Sequence, residues 1–300
     1  MMCRMNPLED IIRKNSEPIA PLPTETEPRL NKLAGVKAVL FDVYGTLIIS
    51  GSGDVGTATA VDTAEALTQA LVVSGFQGDP ETAGLLGKDM LRTEILEWHA
   101  AGHAAGADYP EVEIIKVWKK IVESLCQTEA LRKVEIDMDQ IRRLGLEYEC
   151  RVNPVYPMPG CLDTLRRLNE RGLPMGIVSN AQFYTPLIFQ AFFDQTVEQI
   201  GFDPDCCVWS FKELKAKPSA DLFPKAGKFL EKNHGVKLSE TVYVGNDMLN
   251  DMYTAKEAGC KTVLFAGDKR SLRLREDDER CANLTPDAVV TSLEQLLEII

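Results

Sequence analysis

Three features of the chain predict an α/β protein: five short runs of β-branched and apolar residues, helical patterns between the later runs, and one long stretch without a strand. The expected architecture is a Rossmann-like parallel sheet core carrying a second, smaller, all-helical domain. The runs are VKAVLFD (36–42), PMGIVSN (174–180), CVWSF (207–211), TVYVGN (241–246) and TVLFAG (262–267). Continuous apolar runs of this length suit strands buried on both faces, as in parallel sheets. The amphipathic stretches CLDTLRRLNERG, AQFYTPLIFQAFFDQ, DLFPKAGKFLEKNHG and DMYTAKEAG supply the right-handed crossovers. Gly172, Gly235 and Gly259 stand where left-handed helix caps are expected.

Taken in order, residues 1–35 form a leader. Leu8 to Arg13 predicts a short amphipathic helix, after which Pro18, Pro21, Pro23 and Pro28 impose an extended path. The expectation is a tail lying over the domain surface. Residues 36–50 open the core and 153–300 complete it. Between them, 51–152 shows helical patterns only: TAVDTAEALTQALVVSG, LLGKDMLRTEILEWHAAGH and PEVEIIKVWKKIVESLCQ. That is a helical domain placed over the sheet's edge.

Composition narrows the function. With 300 residues, 45% hydrophobic and 26% charged, the chain can build a full core and is no low-complexity scaffold. Lys plus Arg number 33 against 45 Asp plus Glu, so the formal charge of −12 argues against a nucleic-acid partner. No apolar run is long enough to span a bilayer. The eight cysteines, at 3, 126, 150, 161, 206, 207, 260 and 281, include no C-x-x-C spacing. They read as reduced, packed thiols, and the charged opening MMCRMNPLEDIIRKN has no signal-peptide core, so a cytoplasmic location is expected.

In an open α/β sheet, ligands bind beyond the C-terminal strand ends. There the runs deliver Asp42, then Ser179 and Asn180, then Lys217 in the segment KPS, then Gly245, Asn246 and Asp247, with Asp251 four residues on. Asp42 and Asp247 close together would raise each other's pKa unless a cation neutralised them. Mg²⁺ suits carboxylates, a carbonyl and waters. With Lys217 it would cradle an anion such as phosphate, and a carboxylate facing that cradle is a nucleophile able to form an aspartyl-phosphate. A lone strand-end acid more often caps a helix; four coordinated strand ends argue for a site.

The stretches FDVYGTL, GIVSNA, AKPSADLF and YVGNDMLNDMYTAKEAG, in that order, resemble the haloacid dehalogenase (HAD) superfamily of hydrolases. The resemblance covers about 36–50 and 156–300, PDAVVTSLEQL included, and the helical insertion lies where that family carries its cap. It implies Asp42 as nucleophile, with the Tyr44 backbone carbonyl on the metal. Thr46, Ser179 and Asn180 would bind the transferring group, and Lys217 would neutralise it. Asp247 would hold Mg²⁺, supported from behind by Asp251, while Gly45 and Asn246 complete the first and fourth motifs.

Two departures stand out. Tyr44 occupies the place of the phosphatases' second Asp, their general acid and base, whose loss costs roughly 10²–10⁴-fold on a poor leaving group. It resembles instead the D-x-Y-G-T of the metal-free L-2-haloacid dehalogenase branch. Asn246 takes the place of the acid after the fourth-motif glycine, and the acid follows at Asp247. Retention of Asp247 and Asp251 favours a metal site, since a metal-free anion pocket gains little from buried negative charge. The expectation is Mg²⁺-dependent hydrolysis of a small phosphorylated metabolite. Its alternatives are a metal-independent 2-haloacid dehalogenase and a catalytically weak phosphate-sensing or partner-binding protein.

A proton donor from the cap is a further option, with His99 and His103 beside Trp98 and the loop GADYPEVE (106–113) nearby; helical histidines more often lie at a surface. Cys206 and Cys207 open an apolar run and read as packing. Arg270 to Arg280 reads as a solvated face, and Asp268 lies on the correct sheet edge without a role. Both a monomer and a homodimer fit the sequence.

Overall fold

The apolar runs become a six-stranded, all-parallel sheet in the order β5-β4-β1-β6-β7-β8. The strands are β1 (Ala38–Phe41), β4 (Met175–Ser179), β5 (Phe202–Trp209), β6 (Thr241–Gly245), β7 (Lys261–Phe265) and β8 (Ala288–Val290); β2 (Ile48–Ser50) and β3 (Val155–Pro157) form a separate antiparallel pair. The computed structural model describes residues 7–52, 62–133 and 135–300; Cys3 and the first residues of the pattern TAVDTAEALTQALVVSG lie outside them. β1, β4 and β6 are buried along their whole lengths. The third strand starts at Phe202, earlier than the run CVWSF suggests, because charged residues precede its apolar half on this edge of the sheet.

The helices, in chain order, are α1 (Pro7–Asn15), α2 (Thr63–Val73), α3 (Pro80–Ala104), α4 (Ile114–Gln127), α5 (Met138–Val152), α6 (Cys161–Glu170) and α7 (Thr185–Phe193). Short turns α8 (Val197–Ile200) and α9 (Ser210–Glu213) flank β5, followed by α10 (Leu222–His234), α11 (Thr254–Glu257) and α12 (Leu296–Ile299). One core, with Phe41, Leu165, Ile177, Phe189 and Leu296, fills one side of the sheet. The other holds Leu40, Val178, Phe223, Leu230 and Tyr243. Gly172, Gly235 and Gly259 all adopt positive φ just past helices, which ends those helices as left-handed caps do.

Helices α2 to α5 lie between β2 and β3 and pack on a core of their own around Leu67, Trp118, Leu125 and Leu144. Trp118 meets Tyr148 edge to face at 5.0 Å. Asp62 opens α2 by accepting from the N–H groups of Ala64 and Glu65. No helix among the described residues is long and apolar enough to cross a membrane.

The helix of the leader is not a surface tail, whereas residues 16–35, none of them buried, do run over the surface. Ile11 and Ile12 of α1 are buried in the main core beside Leu146 and Ala191, because the helix's apolar stripe has a matching groove there. Downstream, the Leu22 N–H donates to the Asp268 carboxylate and its carbonyl accepts the Lys269 N–H, and Arg29 pairs antiparallel with Val289 of β8. Replacing Ile12 by Ala is expected to lower stability by about 2–5 kcal/mol through the cavity it leaves. Chemical denaturation measures it; an unchanged midpoint would mean that α1 is merely draped on the core.

Candidate active site

β1 ends by setting the Asp42 N–H on the Val244 carbonyl (2.9 Å), at the crevice between β1 and β6. The chain then turns sharply through Tyr44 and Gly45, whose N–H bonds to the Ile48 carbonyl at 2.7 Å. Gly45 has φ +80°, and a Cβ there would overlap the Asn246 side chain and Ser271, so only glycine lets the first and fourth motifs touch. Thr46 Oγ1 donates to Asn246 Oδ1 (3.0 Å), and Asn246 Nδ2 to the Ser271 carbonyl (2.6 Å). From β4, Asn180 clasps the backbone of Lys217, accepting its N–H at 2.7 Å.

These anchors aim one ammonium group. Lys217 Nζ donates to Asp42 Oδ1 (2.7 Å), Asp251 Oδ1 (2.5 Å) and the Tyr243 hydroxyl (2.9 Å), which donates onward to the Val178 carbonyl. Asp251 rises from a π-helical turn, Met248–Tyr253, and its Oδ2 accepts the N–H groups of Asn246 and Asp247, both at 2.9 Å. It sits where a Gly245 side chain would be, so that glycine too is required. Burial alone would lower the Lys217 pKa, but Asp251 and Asp42 outweigh it and hold the ammonium protonated. Burial pushes the Asp251 carboxyl up, with Lys217 opposing; its oxygens receive donors only, so Lys217 holds it as a carboxylate.

Asp42 is different. Its second oxygen makes no hydrogen bond among the described residues, and it lines a cavity of about 50 Å³ with Tyr44, Asn180, Lys217, Asn246 and Asp247. Thr46 and Ser179 lie behind this cavity: Thr46 on Asn246, and the Ser179 hydroxyl against the Asn180 carbonyl at 3.3 Å. The Tyr44 phenol bonds to the Thr185 hydroxyl (2.9 Å), and burial, then Glu149, raises its pKa so that it stays neutral.

Three hard oxygen groups would suit Mg²⁺: the Asp42 carboxylate, the Tyr44 carbonyl and the Asp247 carboxylate, all on residues that line this cavity. Asp247 caps the π turn through the N–H groups of Leu249 and Asn250 and meets the Arg275 guanidinium at 2.5 Å. A cation therefore already stands against Asp247, on a side chain that is 34% exposed, and the donor set fits a hard divalent ion in that place.

Several functional candidates escape a reading of motifs. The segment after β7 is a solvated face only in its second half, at 276–280; before that, Arg273 accepts the Met248 N–H and donates to the Asn246 carbonyl through its backbone, and Arg275 reaches Asp247. Asp268 is buried and holds that segment by accepting from Arg270 and from the Leu22 N–H. On the cap side, Glu149 of α5 is hydrogen-bonded to Asn153 (3.1 Å) and Tyr184, and burial raises its pKa. It lines a 770 Å³ cavity between cap and core, with Arg92, His99, Trp118, Gln182 and Tyr184. His103 lies away from it, its ring on the Ala107 carbonyl. The loop 106–113 is a latch: Pro110 pairs with Lys215, and the Ala216 N–H reaches the Tyr109 carbonyl (2.8 Å), one residue before Lys217. The signal available in sequence was an acid in α5 facing the cap's open side; no periodicity distinguishes it from its surface neighbours.

Residues 36–259 match the family of haloacid dehalogenase-like hydrolases, and the chain belongs to that family of enzymes. It is 25% identical over 275 residues to phosphoglycolate phosphatase of Photorhabdus laumondii, covering 89% of this chain and 94% of that one. It is 29% identical over 178 residues to glyceraldehyde 3-phosphate phosphatase of Pyrococcus furiosus, covering 53% of this chain and 66% of that protein's length. In fold it is similar to 2-haloacid dehalogenase from Pseudomonas syringae, with TM-score 0.50, 18% identity, and coverage of 88% and 97% of the two chains.

Replacing Lys217 by Met would strand two buried carboxylates and is expected to cost about 3–5 kcal/mol. Adding Asp42→Asn and Asp251→Asn should return most of that loss. Urea unfolding of the single and triple variants reads both values; no recovery in the triple variant contradicts the ion-triad account.

Proposed function

We propose that this enzyme is a Mg²⁺-dependent phosphohydrolase acting on a small phosphorylated metabolite through an aspartyl-phosphate on Asp42. The observation that carries it is the asymmetry of Asp42, one oxygen fixed on Lys217 and the other unbonded and facing a cavity. The phosphatase names of its relatives support the same reading. The free oxygen attacks phosphorus while the bond to the leaving oxygen breaks; water then cleaves the acyl phosphate, restoring Asp42 and releasing phosphate. Lys217 and the backbone N–H groups at these strand ends stabilise the charge that gathers on the phosphoryl oxygens. Mg²⁺, held by Asp42, the Tyr44 carbonyl and Asp247, would supply further neutralisation of that charge.

Tyr44, neutral and bonded to Thr185, gives no proton to a leaving group. In this reading Glu149 does so. Burial raises its pKa against the bonds from Asn153 and Tyr184, and it lines the cap-side cavity together with Tyr184.

The test is phosphate release from a panel of phosphate esters and acyl phosphates, with Mg²⁺ and then with EDTA. Turnover that needs Mg²⁺ and disappears in Asp42→Asn is expected; full activity of that variant would sink the proposal. Glu149→Gln should lower kcat about 10²-fold on alkyl phosphates while sparing aryl phosphates, whose leaving groups need no proton. With the acid gone, the alkaline fall of the pH profile should vanish as well. Equal losses on both substrate classes would remove Glu149 from the mechanism.

A second reading, a metal-independent 2-haloacid dehalogenase, draws on Tyr44 and on the Arg275 cation already against Asp247. Halide release in EDTA from a 2-haloacid decides for it.

A further inference from the structure

Away from Asp42, three donor atoms of three chemical kinds converge: an oxygen of Asp203, the sulfur of Cys206 and a ring nitrogen of His234, all within 4.8 Å of one another. Asp203 and Cys206 belong to β5 and His234 to the last turn of α10, just before its Gly235 cap. β5 is an edge strand, and its register against β4 explains how the two come together. Phe202 stands opposite Met175 and Cys207 opposite Ile177, so the chain from 203 to 206 bulges out of the ladder. Gly176 accommodates that bulge, since a Cβ there would overlap the Cys206 carbonyl.

We propose that Asp203, Cys206 and His234 form a binding site for a borderline-soft divalent transition metal, Zn²⁺ in class, with a water in the fourth position. Thiolate, imidazole and carboxylate together are the donor set that zinc takes and Mg²⁺ does not. The required movement is small. Tetrahedral bonds place donor atoms roughly 3.3–3.6 Å apart, and His234 Nε2 now stands 2.7 Å from Asp203 Oδ2. The groups behind the ligands are in place. Asp203 Oδ1 accepts the Asp205 N–H at 2.9 Å, and Asn233 Nδ2 bonds both Asp203 (3.0 Å) and Asp205 (3.3 Å). The His234 side chain is 30% exposed, so an ion reaches the site from solvent.

Cys206 is buried, and burial and then Asp203 push its thiol up to about 12. Metal binding replaces the thiol proton by the ion, and the proton leaves to solvent, one per metal bound. The site lies at the N-terminal end of β5, whereas Lys217 follows its C-terminal end, so this ion takes no part in the reaction at Asp42. Its effect is to clamp the bulged edge strand to α10.

The experiment uses the whole chain, stripped with EDTA and titrated with Co²⁺ as the optical probe for Zn²⁺. A sulfur-to-cobalt charge-transfer band reaching one equivalent, displaced by Zn²⁺, is expected. Cys206→Ser should abolish the band, and Cys207→Ser, whose Sγ bonds the Asp203 carbonyl instead, should keep it. His234→Ala and Asp203→Asn alter groups near the surface and cover the case in which Cys206→Ser does not fold. Each should weaken Co²⁺ binding at least about tenfold. No band at all, a band that survives Cys206→Ser, or unchanged affinity in both surface variants overturns the proposal: the trio is then a hydrogen-bonded helix end only.

Discussion

One ammonium group organises this molecule. Lys217 Nζ lies between Asp42 and Asp251, with the ends of β1 and β6 on its two sides and the Asn180 side chain of β4 gripping its backbone. A charge so deeply buried is tolerable only with partners on every side, and each partner is itself fixed. Asp251 is locked by two backbone N–H groups, which the bare Gly245 and the π turn make possible. Asp42 is the one member left incomplete. Two carboxylates share one ammonium, so the cluster carries a net negative charge at the oxygen that faces the cavity. In the proposed mechanism, a nucleophile held at one atom and open at the other needs no large reorganisation to reach a near-attack geometry.

The parts of the chain furthest from the motifs serve this arrangement. The segment after β7 folds back over Asn246 and Asp247 and brings Arg275 with it. It stays there because Asp268 and the leader fix its start, through bonds from Leu22 and Arg270. The leader is therefore part of the scaffold behind the fourth motif. On the opposite side, the latch at 109–111 joins the cap to the residues just before Lys217, and Glu111 receives the Ser210 hydroxyl at 2.7 Å. Cap and core thus share the short stretch that aims the ammonium.

Much of this was legible in the residues. Buried parallel strands must be apolar on both faces, so five of the six core strands announced themselves as continuous runs, with Asp42, Asn180 and Asp247 at their ends and Lys217 in the loop that follows β5 and α9. β8 was harder to separate because AVV is a short run on the sheet's far edge. What escaped was decided by tertiary contact. Ile11 and Ile12 look like any short amphipathic stripe until α7 and α5 provide the groove. Arg273 and Arg275 belong to a charge run whose composition says solvent, and only the bonds of Asp268 turn it inward. Thr46 and Ser179 carry hydroxyls of the right type at the right strand ends, but their rotamers turn those hydroxyls to Asn246 and to a carbonyl.

Tyr44 binds these themes together. An aspartate at that position would add a fourth carboxylate beside Asp42, Asp247 and Asp251, with Glu149 a fifth acid nearby. The phenol adds none: burial keeps it neutral, and its hydroxyl is satisfied by Thr185. In the proposed mechanism the core keeps its negative charge for Asp42, and acid function is displaced to a cap-side carboxyl whose pKa burial raises. Two carboxyl groups with opposite tasks need opposite environments. Here a lysine defines one and burial under the cap defines the other, so proton transfer in the proposed mechanism needs cap and core in close approach, and the latch beside Lys217 ties the two together.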